Sequence, residues 1–238
     1  MPQPLIIIPA RLAATRLPGK PLLDIGGLPM IVRVLRQAEA SGAGPVAVAA
    51  GDPEIVEVVE AAGGRAVLTD PALPSGTDRV RAAADLLDPR RTHDTVINLQ
   101  GDMPFVDPAI VALCAGVLRD QADCDIATLV AREDGPEERT DPAVVKAVLT
   151  EAGRALYFTR STLYGEGPVW HHLGIYGYRR EALDRFVAAP PSPLEQREKL
   201  EQLRALEMGM IIWAAVADRA PVSVDTPADL ERARAQAA

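Results

Sequence analysis

Three cations in the first loop are the residues of this chain with the clearest chemical role. Arg11, Arg16 and Lys20 follow the apolar run Leu5–Ile8 in the segment PARLAATRLPGKPL, where prolines and a glycine separate them. Ligands of open α/β sheets bind beyond the carboxyl ends of strands, and cations with backbone N–H groups hold phosphates there. The segment matches neither GxxxxGK[ST] nor GxGxxG. It predicts a triphosphate site, and the alternative is a solvated surface loop.

Two carboxylates follow other apolar segments. Asp102 lies in NLQGDMP, directly after the strand-like run Thr95–Leu99, and Asp225 lies in SVDTPADLE. Because Mg²⁺ prefers one or two carboxylates together with substrate phosphate oxygens, the pair predicts a magnesium site. Each carboxylate also has a purely structural interpretation. Asp102 could form a turn, and Asp225 or Thr226 could cap the last helix.

The elements that must position these residues are predicted from apolar periodicity. Strands in the first half are predicted at Leu5–Ile8, Val46–Ala49, Ala66–Leu68 and Thr95–Leu99. Helices are predicted at Pro29–Ala40, Pro53–Ala62, Thr77–Leu87 and Pro108–Arg119. This alternation indicates an α/β fold with a Rossmann-like, mostly parallel sheet.

The second half has a different pattern, with strand-like segments and little helix between them. Strands are predicted at Ile126–Ala131, Val144–Leu149, Ala155–Thr159, Leu173–Tyr178 and Ile211–Ala217. Helices are predicted at Leu194–Glu207 and Pro227–Ala237. We expect a small mixed lobe over the site. Because no stretch resembles a linker, we predict a single domain over residues 1–238.

Composition narrows the class of protein. The chain has 238 residues and a net charge of −8 without a basic block, which disfavours nucleic-acid partners and membrane surfaces. Its apolar runs are shorter than a signal peptide or a membrane span requires, so we expect a cytoplasmic protein. Cys114 and Cys124 form no CxxC pair, and the spacing gives no zinc motif.

Taken together, the motifs resemble those of the 3-deoxy-manno-octulosonate (Kdo) cytidylyltransferases over nearly the whole chain. The N-terminal loop and the QGD motif also occur in related sugar nucleotidyltransferases. More specific to the Kdo enzymes are HHLGIYGYRR and PLEQREKLEQLR, accompanied by SGTDR, ALYFTR and VDTPADLER. The chain departs from the family pattern with Ala14 in place of a common Ser, Met103 in place of a common Glu, and AAGDPE around Asp52.

The resemblance implies a nucleotide-diphospho-sugar transferase fold and a reaction between CTP and Kdo. The products would be CMP-Kdo, which serves lipopolysaccharide biosynthesis, and pyrophosphate. It also implies Mg²⁺ as cofactor and a homodimer. The alternatives are a cytidylyltransferase for another acidic sugar, such as 8-amino-Kdo or a sialic acid, and a nucleotide-binding regulator without turnover. An NAD-dependent dehydrogenase is disfavoured because GxGxxG is absent.

The same resemblance implies roles for individual residues. Catalytic roles fall to Arg11, Lys20 and Asp102. The nucleotide is expected to contact Arg11, Arg16, Lys20, Ser75, Gly76 and Gln100. The sugar is expected to contact Arg79, Gln100, His172, Tyr176, Glu195 and Gln196. The metal is expected at Asp102 and Asp225. The sugar residues also have structural interpretations, because His172 and Tyr176 could belong to the core and Glu195 and Gln196 begin a helix.

Overall fold

The computed structural model describes residues 2–13, 16–133, 135–163, 165 and 167–237, and only the backbone of residues 136 and 137. Ala14 lies outside the described residues. The chain divides into two compact units. One comprises Met1–Ala112 with Pro221–Ala238, and the other comprises Leu113–Ala220. A single domain over residues 1–238 stays a prediction.

The first unit opens with β1 (Leu5–Ala10), a 3₁₀ turn at Lys20–Leu22, and a hairpin of β2 (Asp24–Ile25) and β3 (Leu28–Pro29). Helices and strands then alternate as α1 (Met30–Ala40), β4 (Val46–Ala50), α2 (Pro53–Ala61), β5 (Ala66–Leu68), α3 (Gly76–Leu87) and β6 (Thr95–Asn98). Helix α4 (Pro108–Asp120) follows.

The second unit contains β7 (Ile126–Glu133), α5 (Pro136–Thr140), β8 (Lys146–Leu149), β9 (Ala155–Thr159), β10 (Val169–Arg179), α6 (Arg180–Ala188), α7 (Pro193–Glu198), α8 (Gln202–Glu207) and β11 (Ile212–Ala217). The last helix, α9 (Pro227–Ala237), belongs to the first unit.

The sheet of the first unit is parallel, with β1 and β4 at its centre in the order β6-β1-β4-β5. Strand β1 is a run of apolar residues because both of its faces are covered, and Leu5–Ile8 are at most 2% exposed. Strands β1 and β6 are neighbours and run in the same direction. The loops that follow them therefore leave the sheet at the same edge, which brings Arg11 and Asp102 to one side of the unit.

The second unit has a mixed sheet. Strand β10 pairs antiparallel with β7 and with β8, β9 pairs antiparallel with β8, and β11 pairs parallel with β7. The register of β10 against β7 shifts between His172 and Tyr176. The expected α/β class with a mostly parallel Rossmann-like sheet is confirmed in the first unit, and the expected mixed strands form the second.

One local prediction was wrong, and two elements were not predicted. The helix predicted at Leu194–Glu207 is two helices, α7 and α8, because Lys199 adopts a left-handed conformation with φ of 56° between them. Helix α6 and the β2–β3 hairpin were not predicted at all. None of the helices in the described ranges has the length and apolar character needed to cross a membrane.

Candidate nucleotide and metal site

A cleft of about 380 Å³ opens in the first unit beyond the carboxyl ends of β1 and β6, within the usual range for small-molecule sites. Its lining brings together residues from four segments that are far apart in sequence. It includes every residue predicted to bind the nucleotide or metal, together with Arg79: Arg11, Arg16, Lys20, Ser75, Gly76, Arg79, Gln100, Asp102 and Asp225.

Lys20 lies at the centre of the charged groups. Its Nζ donates to Asp102 Oδ2 at 3.0 Å and to Asp225 Oδ1 at 3.1 Å. The Lys20 side chain is 17% exposed, that of Asp102 23% and that of Asp225 36%. Arg16, whose side chain is 70% exposed, adds a contact of 3.2 Å to Asp225 Oδ1. The predicted convergence of the two carboxylates is therefore present, with a lysine ammonium between them.

The ionisation of this cluster follows from burial and charge. Burial lowers the pKa of Lys20, but the two carboxylates outweigh it, so that pKa is raised above its ordinary value and the side chain is an ammonium ion. Burial raises the pKa of Asp102, and the Lys20 charge offsets part of that rise. The charges of Lys20 and Asp102 therefore stabilise each other.

The structural interpretation of Asp225, a cap for α9, is disfavoured by the contacts. Thr226 and Asp229 make the cap between them. The Thr226 hydroxyl accepts from Asp229 N at 3.3 Å, and Asp229 Oδ2 accepts from Thr226 N at 2.8 Å. Val224 N also donates to Asp102 O at 2.9 Å, which ties the two acidic segments together. The Asp225 carboxylate is left to face the cleft.

The donor set fits a magnesium ion. Asp102 and Asp225 already converge on one cationic atom, so their oxygens can share a second kind of cation. Within the described part of the chain, no group of three or more His, Cys, Asp or Glu side chains could hold a metal by itself. Because Mg²⁺ is usually held by one or two carboxylates plus substrate phosphates, a pair of carboxylates in a triphosphate cleft matches its needs.

The amino-terminal end of α3 forms another wall of the cleft. Ser75 caps the helix, since its Oγ accepts from Asp78 N at 3.2 Å and donates to Asp78 Oδ2 at 2.5 Å. The hydroxyl is therefore already engaged, and the backbone of Ser75 and Gly76 is what this wall offers to a ligand. A helix amino terminus favours negative charge, which suits a nucleotide.

Arg79 is 2% exposed and is held by protein oxygens. Its Nη1 donates to Thr69 Oγ1 at 2.5 Å and to Asp70 O at 3.2 Å. Burial, followed by the positive charge of Arg11, lowers the pKa of Arg79. Two guanidinium groups near each other form a positive corner of the cleft. Its predicted contact with the acidic sugar stays a prediction.

Gln100 is positioned by a buried polar chain. Its Nε2 donates to Asn98 Oδ1 at 2.9 Å, and Asn98, which is fully buried, contacts Thr77 Oγ1 at 3.5 Å. These contacts fix the amide of Gln100 against β6 and α3. They are consistent with a residue that presents one end of its amide to a ligand.

His172 lies in the second unit and is packed like a core residue. The Thr128 hydroxyl donates to Ile175 O at 2.8 Å, so its oxygen must accept from His172 Nε2 at 2.9 Å. The ring packs edge-on against Phe158 and tilted against Tyr176. Burial, with the nearby His171, lowers the pKa of His172 to about 3. The imidazole is therefore neutral, and its predicted contact with the sugar stays a prediction.

Glu195 and Gln196 have structural partners. Glu195 completes the capping box of α7 with Ser192 and makes two hydrogen bonds, at 2.7 and 2.8 Å, to buried Arg204. Although burial opposes it, these partners lower the pKa of Glu195. Gln196 is exposed and donates to Pro191 O at 3.0 Å. Their predicted role in sugar binding stays a prediction.

Glu201 and Gln202, which lie near Tyr176, were not predicted as site residues. The Tyr176 hydroxyl donates to Gln202 Oε1 at 3.1 Å, and the Gln202 Nε2 is buried with no hydrogen-bond partner among the described residues. Burial, and then the charge of Glu201, raises the pKa of Tyr176. The tripeptide Leu-Glu-Gln occurs twice, at residues 194–196 and 200–202. The repeat could have drawn attention to Glu201 and Gln202, although the sequence alone does not show which copy of the tripeptide lies beside Tyr176.

Comparisons with known proteins show the family of this chain. The profile of a family described as cytidylyltransferase matches residues 5–212. A 3-deoxy-manno-octulosonate cytidylyltransferase of Methylobacterium sp. (strain 4-46) is 59% identical over 240 residues, covering 99% of this chain and 97% of its own. One of the same name from Rhodospirillum centenum (strain ATCC 51521 / SW) is 60% identical, covering 98% and 92%.

Solved structures show the same fold. A CMP:2-keto-3-deoxy-manno-octonic acid synthetase complexed with CTP superposes with a TM-score of 0.91 at 38% identity, covering 99% of this chain and 98% of that one. A putative glucose-1-phosphate thymidylyltransferase from Bacillus anthracis, at 18% identity and TM-score 0.68, covers 98% and 94% and shows the fold alone. The chain is an enzyme of the nucleotidyltransferase class, and it belongs to the cytidylyltransferase family, among the 3-deoxy-manno-octulosonate cytidylyltransferases.

Proposed function

We propose that this chain transfers CMP from CTP to Kdo, releasing CMP-Kdo and pyrophosphate, with Mg²⁺ as the metal. The observation that carries the proposal is the convergence of Asp102 and Asp225 on the Lys20 ammonium in a cation-lined cleft. We further propose that the enzyme is a cytoplasmic homodimer that serves lipopolysaccharide biosynthesis.

The reaction is an in-line displacement at the α-phosphorus of CTP. The 2-hydroxyl of Kdo releases its proton to water and forms a new P–O bond, while the bond to the bridging oxygen breaks and pyrophosphate leaves. Such chemistry depends mainly on positioning and on neutralising charge. Arg11, Arg16 and Lys20 supply three positive charges to the lining of the cleft, and these would neutralise the charge that grows on the leaving pyrophosphate.

Asp102 and Asp225 are the residues that would hold the metal. A bound Mg²⁺ neutralises phosphate oxygens and lowers the pKa of a coordinated hydroxyl. The two side chains differ in exposure, 23% for Asp102 and 36% for Asp225. Asp102 therefore loses more hydration, and its charge depends more strongly on a nearby cation.

Binding of the nucleoside falls to the wall formed by α3. Ser75 and Gly76 offer backbone groups there, and Gln100 is fixed by Asn98 beside them. A methyl group at position 76 would lie 3.5 Å from Pro9 Cγ and 3.8 Å from Gln100 Oε1, both ordinary contacts. These contacts do not require glycine at position 76, whereas a ligand that approaches the backbone there would.

For the sugar we propose Glu201 and Gln202 as partners of Tyr176, in place of Glu195 and Gln196. Glu195 caps α7 and accepts from Arg204, whereas the Nε2 of Gln202 has no hydrogen-bond partner in the described ranges. A buried amide without a partner costs free energy, and a sugar hydroxyl or carboxylate would accept its hydrogen bond.

A product assay tests the proposal. Wild-type enzyme with CTP, MgCl₂ and one acidic sugar at a time is followed by ³¹P NMR, with Asp102→Asn as the matched control. We expect pyrophosphate and a sugar phosphodiester with Kdo, and about a hundredfold less with the control variant. Faster product formation with 8-amino-Kdo or a sialic acid would favour the alternative substrate instead.

A further inference from the structure

The loop between β4 and α2 contacts the triphosphate loop on both sides of Arg11. Gly51 N donates to Ala10 O at 2.9 Å, and Leu12 N donates to Asp52 Oδ2 at 2.8 Å. These two hydrogen bonds attach to the residues immediately before and after Arg11. The backbone on both sides of Arg11 is therefore held by the 51–52 loop, and Gly19 N of its own segment adds a hydrogen bond to Leu12 O at 3.1 Å.

Asp52 is not used as a helix cap. It precedes α2 in an extended conformation, yet its side chain makes no capping hydrogen bond to that helix. Pro53 begins the helix and has no N–H to satisfy. The carboxylate turns instead to the Leu12 amide, 40 residues earlier in the chain.

Gly51 brings the two arginines close to the same loop. A Cβ at position 51 would lie 2.9 Å from Arg79 Nη1 and 3.2 Å from Arg11 Cβ, so a side chain there would displace one of them. Glycine thus lets Arg11 and Arg79 approach the end of β4. The loop therefore lies against the Cβ of Arg11 and against the guanidinium group of Arg79.

We propose that Asp52 is a positioning residue for nucleotide binding, which fixes Arg11 through its hydrogen bond to the Leu12 amide. The inference rests on the proposed function for the identity of the ligand, CTP. Asp52 itself does not line the cleft, so its effect on the ligand passes through Arg11.

The sign of the effect separates positioning from simple electrostatics. A carboxylate near an anion site repels the triphosphate, so its removal should tighten CTP binding if charge alone matters. If positioning matters, Asp52→Ala should weaken binding although the cleft becomes more positive. Asp52→Asn removes the charge but keeps an oxygen that can accept from Leu12 N.

The experiment is calorimetric titration with CTP in the presence of MgCl₂, followed by KM measurements for CTP and for Kdo. We expect Asp52→Ala to raise the Kd for CTP about tenfold, the scale of one lost hydrogen bond to a charged group. We expect Asp52→Asn to stay within about threefold of wild type. The KM for CTP should follow the Kd, and the KM for Kdo should not change.

Glu54→Ala is the matched control, because it removes one exposed negative charge two residues away on α2. Gly51→Ala is a second route, since its Cβ disturbs the same arginines without changing any charge. We expect the control to bind CTP like wild type and Gly51→Ala to bind about tenfold more weakly.

Equal or tighter CTP binding by Asp52→Ala, with a melting temperature near that of wild type, would overturn the inference. If Asp52→Ala does not fold, CTP binding by Asp52→Asn that is much tighter than wild type would overturn it equally, because charge and not position would then set the affinity. A wild-type enzyme that binds no CTP would instead contradict the proposed function, so the two failures can be told apart.

Discussion

Replacing Lys20 by Met should have opposite effects on catalysis and on metal binding. The change removes the ammonium that donates at 3.0 Å to Asp102 and at 3.1 Å to Asp225, but keeps most of the aliphatic stem. Turnover should fall by about a hundredfold or more, the scale for removing one group that stabilises developing charge. Binding of a divalent ion to the nucleotide-free enzyme should become tighter, because the ammonium no longer competes for the two carboxylates.

The expected loss of stability is smaller than two full ionic hydrogen bonds. Each such bond contributes about 1.5–3 kcal/mol, but one ammonium shares its charge between two acceptors. The Asp225 contact is further weakened by solvent, since its side chain is 36% exposed. We therefore expect a loss of about 2 kcal/mol in the free energy of unfolding.

The assays are pyrophosphate release for turnover, a Mn²⁺ titration followed by electron paramagnetic resonance for metal affinity, and a thermal melt. Arg16→Met is the matched control, because the Arg16 side chain is 70% exposed and contacts only one of the two carboxylates. We expect its stability to change by less than about 1 kcal/mol. A Lys20→Met enzyme with wild-type turnover, or with unchanged Mn²⁺ affinity, would refute the reasoning.

Other substitutions test separate parts of the site. Asp225→Asn should keep the fold but lose most activity and need more magnesium, as a Mg²⁺ titration beside a thermal melt would show; overlapping curves would remove Asp225 from the metal site. Gln202→Ala should raise the KM for Kdo about tenfold while Gln196→Ala leaves it unchanged, and the reverse result would restore the first Leu-Glu-Gln copy. Glu195→Gln should destabilise the protein at neutral pH by about 2 kcal/mol with Kdo kinetics unaltered. Because the folded-state pKa of Glu195 lies below its ordinary 4.5, this stabilisation is present above pH 4.5 and is lost as pH falls through the folded-state value, which pH-dependent melts would check.

The convergence of Asp102 and Asp225 could be predicted from sequence for a geometric reason. Parallel strands end at a common edge, so a residue that follows β6 must lie near the loop that follows β1. The segment of Asp225 comes much later in the chain, yet the backbone hydrogen bond from Val224 N to Asp102 O brings it to the same place. The motif SVDTPADLE indicated Asp225, and the hydrogen bond from Val224 N to Asp102 O explains its position.

The residues proposed to bind the sugar were harder to predict from the sequence. A lysine has good helix propensity, so nothing in the sequence indicates that Lys199 turns left-handed and ends α7. That break decides which Leu-Glu-Gln copy serves the capping box and which lies beside Tyr176. The use of Arg204 as the buried partner of Glu195 depends on the same turn.

Asp52 shows a similar limit. An aspartate directly before a helix that begins with proline is often a cap, but the Asp52 carboxylate accepts from Leu12 N instead. A contact across 40 residues depends on β1 and β4 being neighbours in register, with Ala10 opposite Ala50. Local sequence patterns do not show which strands are neighbours, so the contact between Asp52 and Leu12 could not be predicted from them.

The most direct test of the account is the rate of pyrophosphate release by the wild-type enzyme in the presence of Kdo and MgCl₂, with CTP or UTP as the nucleotide. We predict magnesium-dependent release with CTP and Kdo together, little release when either is omitted, and a clear preference for CTP over UTP. No release with CTP and Kdo, or a preference for UTP, would contradict the assignment.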